Sequence, residues 1–150
     1  MGKCMTLRFF LLLFFILNLS AEEQKPKDGI YQEKFDDGKL KYEISFIEGK
    51  KHGKEIFWYE NGNKKMQSHF INGVEEGLWN QWHENGQKKL EVNYSNGKEN
   101  GLWQQWYEDG KLKSKVNFIS GVKDGIETYW NRDGSIRYQD NYINGKITKP

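Results

Sequence analysis

The 150-residue sequence holds one cysteine, one alanine and three histidines, and these shortages exclude several classes of protein. The cysteine, Cys4, lies in an apolar leader, so the rest of the chain forms no disulfide and offers no thiolate as nucleophile or metal ligand. The alanine, Ala21, ends the same leader. A chain that lacks the best helix-forming residue and carries fifteen glycines beyond the leader is not expected to be helical. We therefore predict an all-β fold.

A surplus of positive charge is also missing. Lys3 and Arg8 are the only charges of the leader, so 21 of the 23 basic residues remain beside 21 acidic ones. A chain without net charge is not expected to bind nucleic acid, or an anionic membrane surface, by bulk electrostatics. The partner that we expect is another protein, bound with little dependence on salt.

Residues 1–21 have the order of a secretory signal peptide. Lys3 and Arg8 come first, residues 9–17 are nine uninterrupted apolar residues, and Ala21 ends a short polar stretch. Nine residues are too few to span a bilayer, which takes about 20. We expect cleavage after Ala21 and a protein that is secreted, periplasmic or at the cell surface, with no stable membrane span. An uncleaved anchor or a buried N-terminal strand is the alternative. Residues 22–28 form a charged linker.

Every glycine after the leader falls into one of three phases of a 24-residue period. Such regularity predicts an array of repeats, each a single supersecondary unit. Residues 29–150 then contain five units, at 29–52, 53–76, 77–100, 101–124 and 125–148. The glycines that follow Asp or Asn in the predicted hairpin turns are Gly38, Gly62, Gly86, Gly110 and Gly134.

Each unit reads as two strands joined by a tight turn. Asn-Gly and Asp-Gly pairs are the strongest short signal for a β-hairpin. After one such turn, Leu90, Val92 and Tyr94 alternate with polar residues, as in a half-buried strand. We therefore predict a single-layer antiparallel meander of about ten strands.

Tryptophans and basic residues recur at two fixed positions of the repeat. The tryptophans are Trp58, Trp82, Trp106 and Trp130, and the basic residues are Lys41, Lys65, Lys89, Lys113 and Arg137. A two-residue turn, which Asn-Gly favours, would place a cation over each indole. The pairs would be Trp58–Lys65, Trp82–Lys89, Trp106–Lys113 and Trp130–Arg137. Trp79 and Trp103 would lie on the reverse face.

A three-residue turn would reverse these faces, because one residue of slip inverts the alternation of a strand. The tryptophan row would then join Leu90, Val92 and Tyr94 on the apolar face. The exposed residues would be Trp79, Trp103, Tyr59 and Tyr107.

Aromatic ladders stabilise a single-layer sheet first, but such a sheet cannot bury both faces. An exposed aromatic stripe is usually a binding surface. The candidate ligand-binding residues are Trp58, Trp79, Trp82, Trp103, Trp106, Tyr107 and Trp130.

Two recurring stretches resemble the MORN repeat, in the variant form found in many bacterial secreted and antitoxin-like proteins. The first occurs at residues 70–77 (FINGVEEG) and 94–101 (YSNGKENG), and the second at residues 84–88 (ENGQK) and 108–113 (EDGKLK). The resemblance covers residues 29–148. It implies a curved single-layer sheet that holds proteins or, less securely established, lipid head groups.

Catalysis has no support in the sequence. The three histidines occupy different repeat positions, and the acidic pairs Asp36-Asp37 and Glu75-Glu76 fall in predicted turns. We expect no metal and no cofactor. The predicted function is that of an exported, non-enzymatic repeat protein that binds another protein. The alternatives are a carbohydrate-binding module of the cell envelope and an antitoxin or immunity-like protein.

Overall fold

The computed structural model describes residues 27–148, so the predicted signal peptide and nearly all of the linker lie outside the described residues. Within residues 27–148 the chain forms thirteen β-strands and no helix. The strands are β1 (Gly29–Lys34), β2 (Leu40–Ile47), β3 (Lys50–Trp58), β4 (Lys64–Ile71), β5 (Val74–Glu75), β6 (Gly77–Trp82), β7 (Lys88–Ser95), β8 (Lys98–Glu99), β9 (Gly101–Trp106), β10 (Leu112–Ile119), β11 (Val122–Trp130), β12 (Ile136–Ile143) and β13 (Lys146–Thr148).

All strands belong to one antiparallel sheet whose order follows the chain. The longer strands pair with one another in chain order, with β4 beside β6 and β7 beside β9, and the short strands β5 and β8 pair with β4 and β7. In the described residues β1 pairs only with β2, and β13 only with β12, so the sheet is open at both ends. The predicted meander is therefore confirmed. The higher strand count arises largely because Glu76 and Asn100 each interrupt a strand.

The turns that contain the predicted Asx-Gly pairs hold three residues, not two. In the second unit the amide of Tyr59 donates to the carbonyl of Asn63 at 2.9 Å, and the amide of Gly62 donates to the carbonyl of Tyr59 at 2.9 Å. Gly62 has a φ of 90°, and the Asn61 side chain accepts the Asn63 amide at 2.9 Å. A type I turn followed by a glycine bulge has this form. The preference for a two-residue turn at this position was therefore wrong.

A second bulge cancels the extra turn residue. Trp58 lies opposite Lys64, whereas the next residue, Phe57, lies opposite Met66, so Lys65 has no partner of its own. From Phe57 onward the register equals that of a two-residue turn, and the strand does not change faces. The predicted opposite partners of the tryptophans are nevertheless wrong. The observed pairs are Trp58–Lys64, Trp82–Lys88, Trp106–Leu112 and Trp130–Ile136.

The two-residue turns lie at the other edge of the ribbon. Ile71 pairs with Val74, and the residues between them, Asn72 and Gly73, have φ values of 52° and 86°. Positive φ at both central residues is the signature of a type I′ hairpin turn. The same combination recurs at Glu48-Gly49, Asn96-Gly97, Ser120-Gly121 and Asn144-Gly145.

The core is a line of side chains along the middle of one face. Ile44, Val92 and Val116 are at most 2% exposed, and Ser68 occupies the same repeat position between them. They are covered by side chains of adjacent units, since a single layer has no second sheet above it. The stability of the ribbon therefore depends on contacts between neighbouring units.

Candidate binding surface

Alternation along the strands gives the ribbon two distinct faces. We call the face that carries Ile44, Val92 and Val116 the front face. We call the face that carries Leu78 and Leu102 the back face. Trp79 pairs with Val92 and Trp103 pairs with Val116, so both tryptophans lie on the front face. This agrees with the face predicted for them from a two-residue register.

The four tryptophans of the repeated row are half-buried, and lysines of neighbouring hairpins lie over three of them. The Nζ of Lys64 is 5.9 Å from the centroid of Trp82, and that of Lys88 is 5.7 Å from Trp106. Lys115 lies 5.6 Å from Trp130. The four predicted tryptophan–cation pairs are not found in the described residues, and the cation–π contacts of the tryptophans join successive units instead. Each is worth about 0.5–1 kcal/mol at an exposed site.

Two members of the predicted basic series, Lys65 and Lys113, contact tyrosines instead of tryptophans. Lys65 lies 5.5 Å from the ring of Tyr59, and Lys113 lies 5.7 Å from the ring of Tyr107. The cause is the bulge beside each turn, which gives Lys65 no cross-strand partner and takes it away from Trp58.

Tyr107 and the residues at its repeat position, Tyr59 and His83, form hydrogen bonds across three of the four junctions between units. The Tyr107 hydroxyl donates to the carbonyl of Trp130 at 2.8 Å, and Tyr59 donates to that of Trp82 at 2.9 Å. Between these units the Nε2 of His83 lies 3.1 Å from the carbonyl of Trp106. Burial, followed by the charge of Glu84, raises the pKa of Tyr59. These side chains have a structural role, whether or not they also bind a ligand.

Two carboxylates are buried on the front face, and both are paired. Glu55 contacts the ammonium of Lys51 at 2.5 Å, the hydroxyl of Tyr42 at 2.8 Å and that of Ser68 at 3.2 Å. Glu127 contacts Lys123 at 2.5 Å. Such pairs hold the sheet together, because removal of one partner would leave a buried charge.

The same burial acts on the tyrosines of these clusters. Burial, with the hydrogen bond to Glu55 second, raises the pKa of Tyr42. Burial also raises the pKa of Tyr129, followed by its hydrogen bond with Tyr138. Both hydroxyls therefore stay protonated, and act as donors, well above neutral pH.

Most of the large exposed apolar side chains are aliphatic, and eight of these lie in two rows of the back face. We call these two rows the aliphatic stripe. One row follows the first glycine of the units and consists of Ile30, Leu78, Leu102 and Ile126, which are 48–69% exposed. The other row precedes the type I′ turns and consists of Ile47, Ile71, Ile119 and Ile143, which are 45–55% exposed.

Amide side chains separate the members of this stripe. Leu78 pairs with Asn93, and Leu102 pairs with Asn117. The stripe is therefore a mixed aliphatic and amide surface along one edge of the ribbon, whereas the tryptophan row follows the other edge.

The sequence reasoning missed this stripe, although the signal was present. The second residue of the unit is Ile or Leu in four of five units, and Lys54 is the exception. The residue before the type I′ turn is Ile in four of five, with Ser95 as the exception. The ligand-binding surface was predicted at the aromatic repeat positions instead.

A shallow groove lies at the N-terminal end of the Asx-Gly edge. It has a volume of about 280 Å³ and is lined in part by Phe35, Lys41, Trp58 and Tyr59. Trp58 is the candidate residue that lines this groove.

The described residues hold no cluster for metal chemistry and no candidate membrane helix. Within residues 27–148, no three His, Asp or Glu side chains converge as a metal site would require. No helix in the same part of the chain is long and apolar enough to cross a bilayer.

Comparison with known families identifies the repeat. The family described as MORN repeat variant matches five segments, residues 27–48, 51–72, 75–96, 99–120 and 123–144. The chain belongs to this family. MORN repeats commonly serve as interaction modules. No curated protein matches the chain. The matched segments keep the 24-residue spacing of the glycines and begin two residues before the units defined by them.

Proposed function

We propose that this MORN repeat protein is a non-catalytic scaffold, exported from the cytoplasm, that binds another protein through the aliphatic stripe. The observation that carries the proposal is the repeated exposure of Ile and Leu on one face, at 45–69% of each side chain. Exposed apolar side chains that recur along one edge in this way are typical of interaction sites.

The composition of the stripe supports a protein partner over a glycan. Protein interfaces combine an apolar centre with hydrogen-bonding groups, and the stripe places Asn93 beside Leu78 and Asn117 beside Leu102. A glycan binds by stacking its sugar rings on open aromatic faces. Here Trp82 and Trp106 are half-buried, with Lys64 and Lys88 over their rings.

Export rests on the sequence of residues 1–21, which has the parts of a secretory signal in order. The intact mass of the protein recovered from outside the cytoplasm tests both export and cleavage of the signal peptide. We expect a chain that begins at Glu22, whereas an intact N-terminus on a cytoplasmic protein would contradict it.

The stripe is tested by binding with charge-matched variants. Leu78→Lys with Leu102→Lys places two charges on the stripe. Asn63→Lys with Gln87→Lys is the control, because Lys39 and Lys111 already occupy that repeat position. The full-length protein and both variants are immobilised and exposed to envelope extract of the organism that encodes it.

A protein retained by the parent and the control, but lost from the stripe variant, supports the proposal. Its binding should change little between low and moderate salt, because the stripe is uncharged. Equal retention by all three chains would contradict the stripe. Glycan-array binding that is abolished by Trp82→Ala with Trp106→Ala would favour the carbohydrate alternative instead.

A further inference from the structure

The first and last strands of the sheet, β1 and β13, correspond to two consecutive parts of one strand of the interior units. β13 (Lys146–Thr148) corresponds by the 24-residue period to residues 50–52, the first three residues of β3. β1 (Gly29–Lys34) corresponds to residues 53–58, the last six residues of β3. One end of the molecule therefore has the start of a nine-residue strand, and the other end has its continuation.

The free edges match this division. β13 pairs only with Asn141–Ile143 of β12, and no described residue pairs with the outer edge of residues 136–140. All six residues of β1 are exposed, and its outer edge is unpaired in the described residues. Unpaired strand edges are templates for pairing with another chain.

The end units also expose side chains that the interior units cover. Tyr138 is 41% exposed, whereas Ser114 at the same repeat position is buried. Tyr31 is 50% exposed, whereas Glu55 and Glu127 at its repeat position are buried. Terminal repeats that end an array usually present a polar outer face, whereas each of these two ends also leaves a tyrosine exposed.

We propose that copies of this chain associate head to tail, with β1 of one copy continuing the sheet beside β12 of the next. The interior pairs Met66–Gln81 and Leu90–Gln105 fix the register. Shifted by whole periods, they place Tyr138 opposite Glu33 of the adjoining copy. The pairs Gln67–Asn80 and Glu91–Gln104 likewise place Gln139 opposite Gln32.

Two contacts in this register limit its strength. Ile147 and Thr148 fall on the positions of Lys27 and Asp28 of the adjoining copy, so one of these two segments must move. Thr148 donates to the carbonyl of Asn141 at 3.1 Å, and Asp28 accepts the amide of Gly49 at 3.0 Å. Displacement of either segment therefore breaks one side-chain hydrogen bond. At the next pair of positions, Arg137 of one copy lies near Lys34 of the adjoining copy. The repulsion between these two positive charges weakens the association.

The contact is heterologous, since it joins different edges of two identical chains. Such contacts repeat without closing unless a rotation completes a ring. We therefore expect a concentration-dependent series of dimers, trimers and longer species, not a species that stops at the dimer.

Sedimentation velocity over a range of concentrations tests the register with two double variants of the full-length protein. Gln32 and Gln139 are both exposed, so charges are tolerated at either position. Gln32→Lys with Gln139→Lys sets like charges opposite each other. Gln32→Lys with Gln139→Glu sets opposite charges there. The Lys/Glu chain should associate roughly ten-fold more tightly than the Lys/Lys chain.

The outcomes are distinct. Equal association of the two chains would overturn the register. Pairing of β1 with β1 would give that result, because both double variants carry the same Gln32→Lys substitution, and so would association driven by the apolar leader. Lys34→Glu, which faces Arg137, should strengthen association in its own right. A protein that stays monomeric as parent, as Lys/Glu chain and as Lys34→Glu would refute the proposal.

Discussion

Replacement of Gly101 by valine isolates the conformational demand of the repeated glycines. Gly101 has a φ of 98°, a region that a β-branched residue adopts only with strain. A Cβ built at Gly101 would meet no atom within 4 Å, so the effect of the substitution is conformational and not steric. A non-glycine residue held in such a region costs about 1–3 kcal/mol.

Gly110 tests the Asx-Gly turn in the same way. Its φ is 81°, and a Cβ there would also contact the Gln87 side chain, which is flexible and can move. We expect Gly101→Val and Gly110→Val each to lower the free energy of unfolding by about 1–3 kcal/mol. For a chain of this size that corresponds to a fall in Tm of roughly 3–15 °C.

Thermal unfolding followed by circular dichroism measures this effect. Leu102→Val is the matched control, because it places valine at the next residue, on an exposed strand position where β-branched residues fit. The control should change Tm by no more than roughly 1–2 °C, which is about 0.5 kcal/mol. If both glycine variants melt within a degree of the parent, the assigned turn and bulge conformations are wrong.

Three further predictions concern stability, and urea unfolding measures each of them. Val92→Ala removes two methyl groups from a side chain that is 2% exposed and should cost about 1.5–3 kcal/mol, whereas Val74→Ala, on a 45% exposed side chain, should cost under about 0.5 kcal/mol; similar costs would refute the assigned core. Tyr107→Phe deletes the hydrogen bond to the carbonyl of the next unit and should cost about 0.5–1.5 kcal/mol, and a change of zero would mean that this bond does not hold the units together. Because the pKa values of Tyr42 and Tyr129 are raised in the folded protein, their contribution is complete below about pH 10 and is lost as the pH rises above it. The double Phe variant should lose less stability between about pH 9 and 11 than the parent, and an unchanged pH dependence would contradict this.

The glycine rhythm was sufficient to predict the class, the repeat and the open meander, because positive φ at fixed intervals constrains the backbone whatever the side chains are. The turn types were not predictable in the same way. Asn61-Gly62 and Asn72-Gly73 are the same dipeptide, yet the first forms a three-residue turn and the second a type I′ turn. Asn-Gly suits both, since asparagine tolerates either sign of φ.

The compensating bulge at Lys65 could not be predicted from the sequence either, because a bulge in this position needs no special residue. Because of this bulge, Trp79 and Trp103 lie on the face that a two-residue turn predicts, although the predicted partners of the other tryptophans are wrong. The aliphatic stripe was missed for another reason. In a single layer, aromatic side chains pack against their neighbours, and smaller Ile and Leu side chains can be left exposed on the other face.

The residues at the middle of the front face are buried and those of the aliphatic stripe on the back face are exposed. Thiol reactivity along β10 tests this difference most directly. In a Cys4→Ser background, Ser114→Cys introduces a thiol of similar size at a position that is 0% exposed, and Ile119→Cys introduces one on the aliphatic stripe, where the side chain is 53% exposed. We expect the thiol at position 119 to react with a maleimide at the rate of a free thiol, and the thiol at position 114 to react at least roughly ten-fold more slowly. Equal rates, or faster reaction at position 114, would contradict it.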